Sequence, residues 1–247
     1  MSRVPKSKRQ YVQSINTPAK LFAATLQGAK GAPFPDYIEP LLATKVDRVP
    51  STDHWVHEIK FDGYRLQIHR QPNVTRCFTR RGHDWASKFP TVVSAVAHLQ
   101  AQSFVLDGEA VIVTEQGDTD FNELESYVAP KEPPPELMSR LVFYVFDILY
   151  IDRFDLRDVP LLDRKEVLRV LLHDAPTNGP VQYSEHLEAK GSDIFKNACA
   201  LELEGVVSKR KDRSYRSGRN AEWVRAGTSG QALMRCVGMP LSGTSTW

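Results

Sequence analysis

The sequence of 247 residues lacks several features that would identify the class of protein at once. It has no run of about 18 apolar residues, which argues against a membrane-spanning helix. Its three cysteines, Cys77, Cys199 and Cys236, share no spacing typical of a metal site or a disulfide, so a reducing, cytosolic setting is the simplest account. No internal repeat or low-complexity tract is present. What remains is an ordinary globular composition, with 41% hydrophobic and 25% charged residues.

The net charge is only +2, so the position of the charge matters more than its total. The first 30 residues contain six Lys/Arg and no acid, and residues 209–225 contain seven Lys/Arg against two acids. Residues 1–35 show no periodicity and are predicted to form a basic, flexible N-terminal arm. Such an arm suits contact with nucleic acid or simple solubilisation. A transit peptide is a minor alternative, because Pro5 and the lack of an amphipathic arginine face disfavour it.

Between residues 36 and 226 the hydrophobic pattern predicts a mixture of strands and helices. Residues 104–106 and 110–113 are predicted to be two strands with a bend at 107–109. Residues 141–150 are predicted to be a central strand buried on both faces, broken only by Asp147. Other strands are predicted at 55–59, 64–69, 76–80, 181–183, 205–207 and 223–224, and helices at 91–101, 121–128, 162–173 and from Ser192 or Asp193 to about 201.

One stretch, His57-Glu58-Ile59-Lys60-Phe61-Asp62-Gly63-Tyr64-Arg65, organises the chain. Asp62-Gly63 between two strand-like runs predicts a hairpin turn, because glycine can adopt a positive φ. Lys60 would then lie at the mouth of a hairpin beside Glu58, Asp62 and Arg65. An isolated K-x-D-G is more typical of a surface lysine in a turn. Here the pattern extends to E-x-K-x-D-G-x-R, and further motifs follow it in order.

This pattern resembles the lysine-nucleophile motif of the covalent nucleotidyltransferases, which include ATP-dependent DNA ligases, RNA ligases and mRNA-capping enzymes. The later motifs resemble those of the DNA ligases in wording and order: Thr79-Arg80-Arg81-Gly82, Asp107-Gly108-Glu109, F-Y-V-F-D-I-L at 143–149, E-G-V-V-S-K at 204–209 and Y-R-S-G-R at 215–219. Together they cover residues 40 to 225. The overall resemblance is closest to the ligase module of bacterial non-homologous end-joining proteins.

The resemblance implies an adenylation domain over residues 36–226, with an α+β fold of antiparallel sheets flanked by helices and ATP in the cleft between the sheets. Lys60 would be the catalytic residue: it takes AMP from ATP, releases pyrophosphate, and in a complete ligase AMP passes to a 5′-phosphate of nicked double-stranded DNA for sealing in DNA repair. Glu204 and Asp62 would bind Mg²⁺ or Mn²⁺. The expected ATP-binding residues are Glu58, Arg65, Arg80, Glu109, Phe146, Val207, Lys209 and Arg225.

The chemistry explains why these residue types are needed. A free lysine ammonium has a pKa of ~10.4 and must lose its proton before the amine attacks phosphorus. Charge develops on the phosphates in the transition state and requires cations. A carboxylate such as Glu109 suits the ribose hydroxyls, and a flat ring such as Phe146 suits adenine, whereas Phe143 is expected in the core. Asp147, a carboxylate in an apolar strand, requires a buried partner.

The sequence departs from the family at the closing W-x-K-x-K motif, which reads Trp223-Val224-Arg225-Ala226-Gly227. Arg225 keeps a positive charge, but its guanidinium is a planar group rather than the compact ammonium of a lysine. Gly227 has no side chain where the second lysine is expected. Residues 227–247 are predicted to be an irregular tail, and the family's oligonucleotide-binding (OB) domain is expected to be absent. The expected partners are therefore nicked DNA and a DNA end-binding repair protein or a separately encoded OB domain, with no membrane and a cytoplasmic location.

Two rival functions stay open at this point. A truncated or degenerate ligase could bind nucleotide or DNA with little turnover, which Gly227 favours and the intact Lys60, Glu109 and Glu204 disfavour. An RNA ligase or capping enzyme is the other alternative, and the wording of the D-G-E, F-D-I-L and E-G-V-V-S-K motifs disfavours it.

Overall fold

A computed structural model of the chain describes residues 19–228. These residues form two compact units. The larger unit contains residues 19–40, 62–184 and 212–217, and the smaller unit contains residues 41–61, 185–211 and 218–228. Within residues 19–228, no helix combines the length and the apolarity needed to cross a bilayer.

The larger unit is built on a seven-stranded, mainly antiparallel sheet with the strand order β1-β8-β7-β6-β4-β5, and β9 pairs in parallel with β7. The short strands β1 (Lys30–Gly31) and β8 (Phe154–Asp155) close one edge. The other strands are β4 (Tyr64–Gln71), β5 (Val74–Thr79), β6 (Phe104–Ile112), β7 (Leu141–Ile151) and β9 (Val181–Tyr183).

Five α-helices and a 3₁₀ turn (Ala86–Lys88) belong to this unit. The helices are α1 (Ala19–Ala24), α2 (Pro90–Val96), α3 (Phe121–Val128), α4 (Pro135–Met138) and α5 (Leu161–Leu171). Helix α3 begins where the Asp120 carboxylate accepts a hydrogen bond from the Glu123 amide at 3.0 Å, an N-cap. The core contains residues of the sheet together with residues of α1, α2, α3 and α5, including Leu66, Leu106, Val145, Val92, Leu124 and Val167.

The smaller unit has a four-stranded sheet with the order β2-β11-β10-β3. Its strands are β2 (Leu41–Lys45), β3 (Trp55–Ile59), β10 (Gly205–Arg210) and β11 (Gly218–Gly227), and only the β2–β11 pair is parallel. Helix α6 (Gly191–Ala200) packs on this sheet, with Ala198, Val206 and Ala226 in a small core. Both units therefore have the predicted architecture of mainly antiparallel sheets flanked by helices.

One expectation about the N-terminal end of the chain needs correction. The predicted flexible arm over residues 1–35 is too long, because Ala19 and Ala23 of α1 are buried in the core of the larger unit and Lys30 belongs to β1. Residues 1–18 and 229–247, which hold the rest of the predicted arm and most of the predicted tail, lie outside the described residues. Cys77 is a buried free thiol.

Three local expectations are also wrong. The predicted bend at residues 107–109 is absent, because β6 runs unbroken from Phe104 to Ile112 with irregular pairing to β7. Strand β7 is buried on both faces only from Asp147 onward, and its first half alternates so that Tyr144 and Phe146 are partly exposed. Helix α6 begins after Lys190, so neither Ser192 nor Asp193 caps it.

Candidate active site

Lys60 directly follows β3 in the smaller unit, and the hairpin predicted around it does not form. Strand β3 pairs with β10, whereas β4, on the other side of Asp62-Gly63, pairs with β5 and β6 in the larger unit. The Lys60 amide donates to the Gly205 carbonyl at 3.0 Å, and the Lys60 ammonium forms an ion pair with the Glu204 carboxylate. The Lys60 side chain is 17% exposed and that of Glu204 is 37% exposed. Two motifs 144 residues apart in sequence therefore meet at the candidate nucleophile.

Gly205 is required by the close approach of β11. A Cβ at this position would lie 2.2 Å from the Ala226 carbonyl oxygen, a collision with backbone that no rotamer relieves. The glycine of the E-G-V-V-S-K motif therefore allows β10 and β11 to pair where Glu204 and Lys60 meet.

One face of the four-stranded sheet carries the smaller unit's candidate residues. Val207 lies opposite Glu58 on β3 and opposite Arg225 on β11, and Gly205 lies opposite Gly227. Residues directly opposite one another share a face, and residues two apart along a strand share it as well. Val206 and Ala226 belong to the other face, where they pack with α6. The missing family lysine at Gly227 would thus stand on the same face as Val207 and Arg225, at the Gly205 end.

Glu58 and Lys209 form a buried ion pair on this face. Lys209 Nζ donates to Glu58 Oε2 at 2.8 Å, and both side chains are only 3% exposed. The same ammonium lies 4.2 Å from the centre of the Trp223 ring, which adds a cation–π contact. The structure therefore brings Glu58 and Lys209 together as a paired element of the sheet, and their predicted contact with ATP remains a prediction.

The larger unit holds a second set of candidate residues around a buried carboxylate. Asp107 accepts two hydrogen bonds from Arg65, from Nε at 3.0 Å and from Nη2 at 2.7 Å, and a third from the Tyr215 hydroxyl at 2.8 Å. Burial alone would lower the pKa of Arg65, but the charge of Asp107 outweighs it and raises that pKa. The Arg65 guanidinium lies 5.2 Å from the centre of the Phe146 ring. Arg65 was predicted to contact the nucleotide, and here it is held by Asp107.

Glu109 lies directly opposite Arg65 on the neighbouring strand and opposite Tyr144 on the other side. Arg65, Glu109 and Tyr144 therefore share one face of the seven-stranded sheet, and Phe146, two residues beyond Tyr144, lies on the same face. Gly108 between the two acids is required here, because a Cβ would lie 2.5 Å from the Tyr144 carbonyl oxygen. Phe143 is fully buried in the core, as predicted.

The buried partner that Asp147 requires is Arg164 on α5. Its Nε and Nη2 donate to the two carboxylate oxygens at 2.8 and 2.7 Å, and both side chains are fully buried. Arg164 also lies over the Tyr215 ring at 5.8 Å. The sequence predicted that Asp147 needs a partner, but it did not single out Arg164, Asp107 or Tyr215. The one signal for the buried cation was Asp147 in an apolar strand. Asp107 and Tyr215 belong to recognised motifs, but the sequence assigned no function to either residue.

The two remaining candidates, Arg80 and Asp62, belong to the larger unit and are exposed. The Arg80 carbonyl accepts a hydrogen bond from the Tyr37 hydroxyl at 2.7 Å, just beyond the end of β5. Among residues 19–228, no group of three or more His, Cys, Asp or Glu side chains is arranged to hold a metal ion. The predicted metal roles of Asp62 and Glu204 therefore remain predictions.

Comparison with known proteins agrees with these motifs. A family model described as the ATP-dependent DNA ligase domain matches residues 40–226. The multifunctional non-homologous end joining protein LigD of Pseudomonas aeruginosa is 36% identical over 209 residues, which are 85% of this chain and 24% of that protein. A probable DNA ligase of Beutenbergia cavernae is 33% identical over 189 residues, 75% of this chain and 36% of that protein.

Solved structures give the same result. Mycobacterial DNA ligase D complexed with ATP and MES has a TM-score of 0.63 at 28% identity, covering 76% of this chain and 59% of that one. The ATP-dependent DNA ligase of bacteriophage T7 in complex with ATP shares the fold. Its TM-score is 0.55 at 18% identity, covering 76% of this chain and 68% of that one. The chain spans about a quarter of the length of the LigD protein. The chain belongs to the ATP-dependent DNA ligase domain family.

Proposed function

We propose that this chain catalyses adenylyl transfer with Lys60 as the nucleophile. The neutral Nζ amine attacks the α-phosphorus of ATP, a nitrogen–phosphorus bond forms, and the bond from that phosphorus to the bridging oxygen breaks. Pyrophosphate leaves with the bonding electrons, and the amine loses a proton. The product is AMP joined to Lys60 as a phosphoramidate.

The observation that carries this proposal is the position of Lys60 against Glu204. Lys60 is the lysine of the E-x-K-x-D-G-x-R pattern, its amide is fixed by the Gly205 carbonyl, and its ammonium is paired with the carboxylate that precedes Gly205. A generic surface lysine has neither a fixed backbone nor a partner from a second motif. The 17% exposure of the side chain leaves it accessible to a small molecule.

Glu204 has two roles in this account. While it accepts from Lys60, it favours the ammonium, which cannot attack, so the amine must be released before reaction. A carboxylate that is 37% exposed suits Mg²⁺, which keeps several of its waters and binds through one or two carboxylates together with phosphates. Mg²⁺ held by Glu204 would supply positive charge to the phosphates.

The larger unit supports recognition of the nucleoside. On the family resemblance, Glu109 accepts from the ribose hydroxyls and Phe146 stacks on adenine. Both residues share a face with Arg65, and Asp107 and Tyr215 fix the guanidinium of that arginine. Arg80 in this unit and Arg225 in the smaller unit are exposed cations that we expect to contact phosphate. Arg65 and Lys209 are expected to contact the nucleotide while their ion pairs with Asp107 and Glu58 hold them in place.

We further propose that the AMP on Lys60 is transferred to the 5′-phosphate of a nicked duplex, after which the strands are sealed. The named relatives are DNA ligases and end-joining proteins, and this supports DNA repair as the setting and nicked DNA as the substrate. A DNA end-binding protein or a separate OB domain remains an expected partner, and the cytosol remains the expected location.

Incubation with α-labelled ATP and Mg²⁺ tests the first step. The label should become covalently attached to the protein, survive base and be released by acid, as a phosphoramidate requires. Lys60→Ala should abolish labelling, and Lys60→Arg, which keeps the charge for Glu204, should abolish it as well. Label that survives in both variants would remove Lys60 from the mechanism.

A second candidate function is a nucleotide- or DNA-binding module with little turnover. The observation that favours it is Gly227, which leaves the site face of β11 without the amine that the family places there. Wild-type protein that binds ATP but never becomes labelled would support this alternative.

A further inference from the structure

The larger unit contains a cavity of about 290 Å³ that the adenylation chemistry does not use. Its wall includes three aromatic rings, those of Phe34, Tyr37 and Phe78, and the imidazole of His69. The three aromatic side chains are partly exposed, and the rings meet at steep angles. Tyr37 and Phe78 are 5.6 Å apart and His69 and Phe78 are 4.9 Å apart. Asp36, Gln71 and Arg76 form the rest of the polar lining.

The cavity lies on the edge strand of the seven-stranded sheet. Strand β5 alternates, so that Cys77 is buried in the core while Arg76 and Phe78 line the cavity on the other face. Arg80 lies two residues after Phe78, in the turn just beyond the end of β5. The edge therefore carries Arg76 and Phe78 on one face, with a second arginine at the end of the strand.

The cations of this edge are available to a ligand. Arg76 and Arg80 are both exposed. Within residues 19–228, neither guanidinium has a hydrogen bond or an ion pair. Flat rings interleaved with free cations are what single-stranded nucleic acid requires, because bases stack on the rings and phosphates bind the cations.

The polar groups on the cavity wall suit the edge of a base. Burial lowers the pKa of His69 to about 4, so at neutral pH the imidazole adds no charge. Gln67 donates its amide N–H to the Ile38 carbonyl at 2.8 Å, which leaves its oxygen to accept from His69 Nε2 at 3.2 Å. His69 Nδ1 is then an acceptor nitrogen, and Asp36 supplies acceptor oxygens, so both can accept from the N–H groups of a base.

We propose that this cavity binds an unstacked base of single-stranded DNA, with the neighbouring phosphates on Arg76 and Arg80. Such a site would hold the single-stranded part of a DNA end next to the strand that is to be joined. The proposal rests on the proposed function only in taking DNA as the nucleic acid. It does not involve Lys60 or turnover, and Arg80 is the one residue that it shares with the expected ATP contacts.

Binding of a fluorescein-labelled pyrimidine oligodeoxynucleotide to the full chain, followed by anisotropy over a range of salt concentrations, tests the proposal. An excess of AMP keeps the strand out of the nucleotide site. Phe78→Leu keeps an apolar side chain on the cavity wall but removes the ring, so affinity should fall about 5- to 150-fold with an unchanged salt dependence. Arg76→Gln should weaken binding and lower the slope of log K against log salt by about 0.7.

Arg169→Gln is the matched control, because it removes the same charge from an ion pair with Glu166 on α5. It should bind like the wild type, and thermal unfolding should show that all variants are folded. Wild-type affinity in folded Phe78→Leu and Arg76→Gln would overturn the proposal, and so would an equal loss in Arg169→Gln. Tighter binding of the RNA version of the strand would overturn the assignment to DNA. None of these outcomes depends on adenylylation, so failure here and failure of the Lys60 mechanism are distinguishable.

Discussion

The buried pair of Glu58 and Lys209 gives the sharpest energetic prediction. Removing one partner leaves the other charge buried, at a cost of about 3–5 kcal/mol, whereas replacing both by apolar groups of similar size is often close to neutral. Both side chains are 3% exposed and their charged atoms are 2.8 Å apart, so the full cost applies. Glu58→Met and Lys209→Met should each lower the free energy of unfolding by about 3–5 kcal/mol. The double variant Glu58→Met, Lys209→Met should be far more stable than the two single losses predict.

Urea unfolding of the four proteins measures this directly, and the difference from additivity is the coupling energy of the pair. Two single variants that each lose less than about 1 kcal/mol would refute the reasoning, because they would show that the pair is solvated. A double variant as unstable as the summed single variants would refute it as well. ATP titration of the folded double variant then separates the roles: lost affinity at near-normal stability supports direct contact of Glu58 or Lys209 with ATP.

Four further predictions follow from the two sheets. Phe146→Ala should weaken ATP binding about 5- to 150-fold while the fold persists, measured by calorimetry, and unchanged affinity would make Phe146 a packing residue. Tyr215→Phe should cost about 1.5–3 kcal/mol of unfolding free energy, since it removes a hydrogen bond to the charged Asp107, whereas Tyr150→Phe, which loses a bond to the neutral Ala32 carbonyl, should cost less. Gly227→Lys should speed adenylylation, most clearly with Arg225→Lys, because it restores an amine on the face of Val207; an unchanged rate would remove that explanation. Burial lowers the pKa of His69 to about 4, so near pH ~6.5 unfolded chains bind a proton that folded chains do not bind. The free energy of unfolding should therefore fall by about 3 kcal/mol as the pH falls from ~6.5 to about 4, and this pH dependence should be weaker in His69→Phe.

The family resemblance was sufficient to predict that Glu204 belongs with Lys60, because ordered motifs carry long-range information that local patterns lack. Glu204 and Lys60 are 144 residues apart, and no periodicity connects them. The family resemblance connected both to the nucleotide, and the structure places them in direct contact.

Local signals failed where pairing is long-range. Asp62-Gly63 is a good turn signal, but β3 finds its partner in β10 and β4 finds its partners in β5 and β6. A turn propensity of a few residues cannot identify a partner strand more than a hundred residues away. Gly108 misled in the same way: it reads as a bend, but it stands inside β6 because the Tyr144 carbonyl leaves no room for a Cβ.

The supporting network was the least predictable part of the site. Asp147 required a buried cation on simple solvation grounds, and Arg164 meets that requirement. Arg164 could not be chosen in advance, because the α5 pattern contains several basic residues and burial depends on how the helix packs. In the D-G-E motif the sequence assigned a role to Glu109 and none to Asp107, although Asp107 is the acid that fixes Arg65.

The central claim is that AMP becomes bonded to the Nζ atom of Lys60, and peptide mapping tests it most directly. The 247-residue protein is incubated with ATP and Mg²⁺, digested at neutral to basic pH and examined by tandem mass spectrometry. The account predicts AMP on the peptide that contains Lys60, with fragment ions that localise it to that lysine. AMP on another lysine, or no AMP on a folded protein that binds ATP, would contradict it.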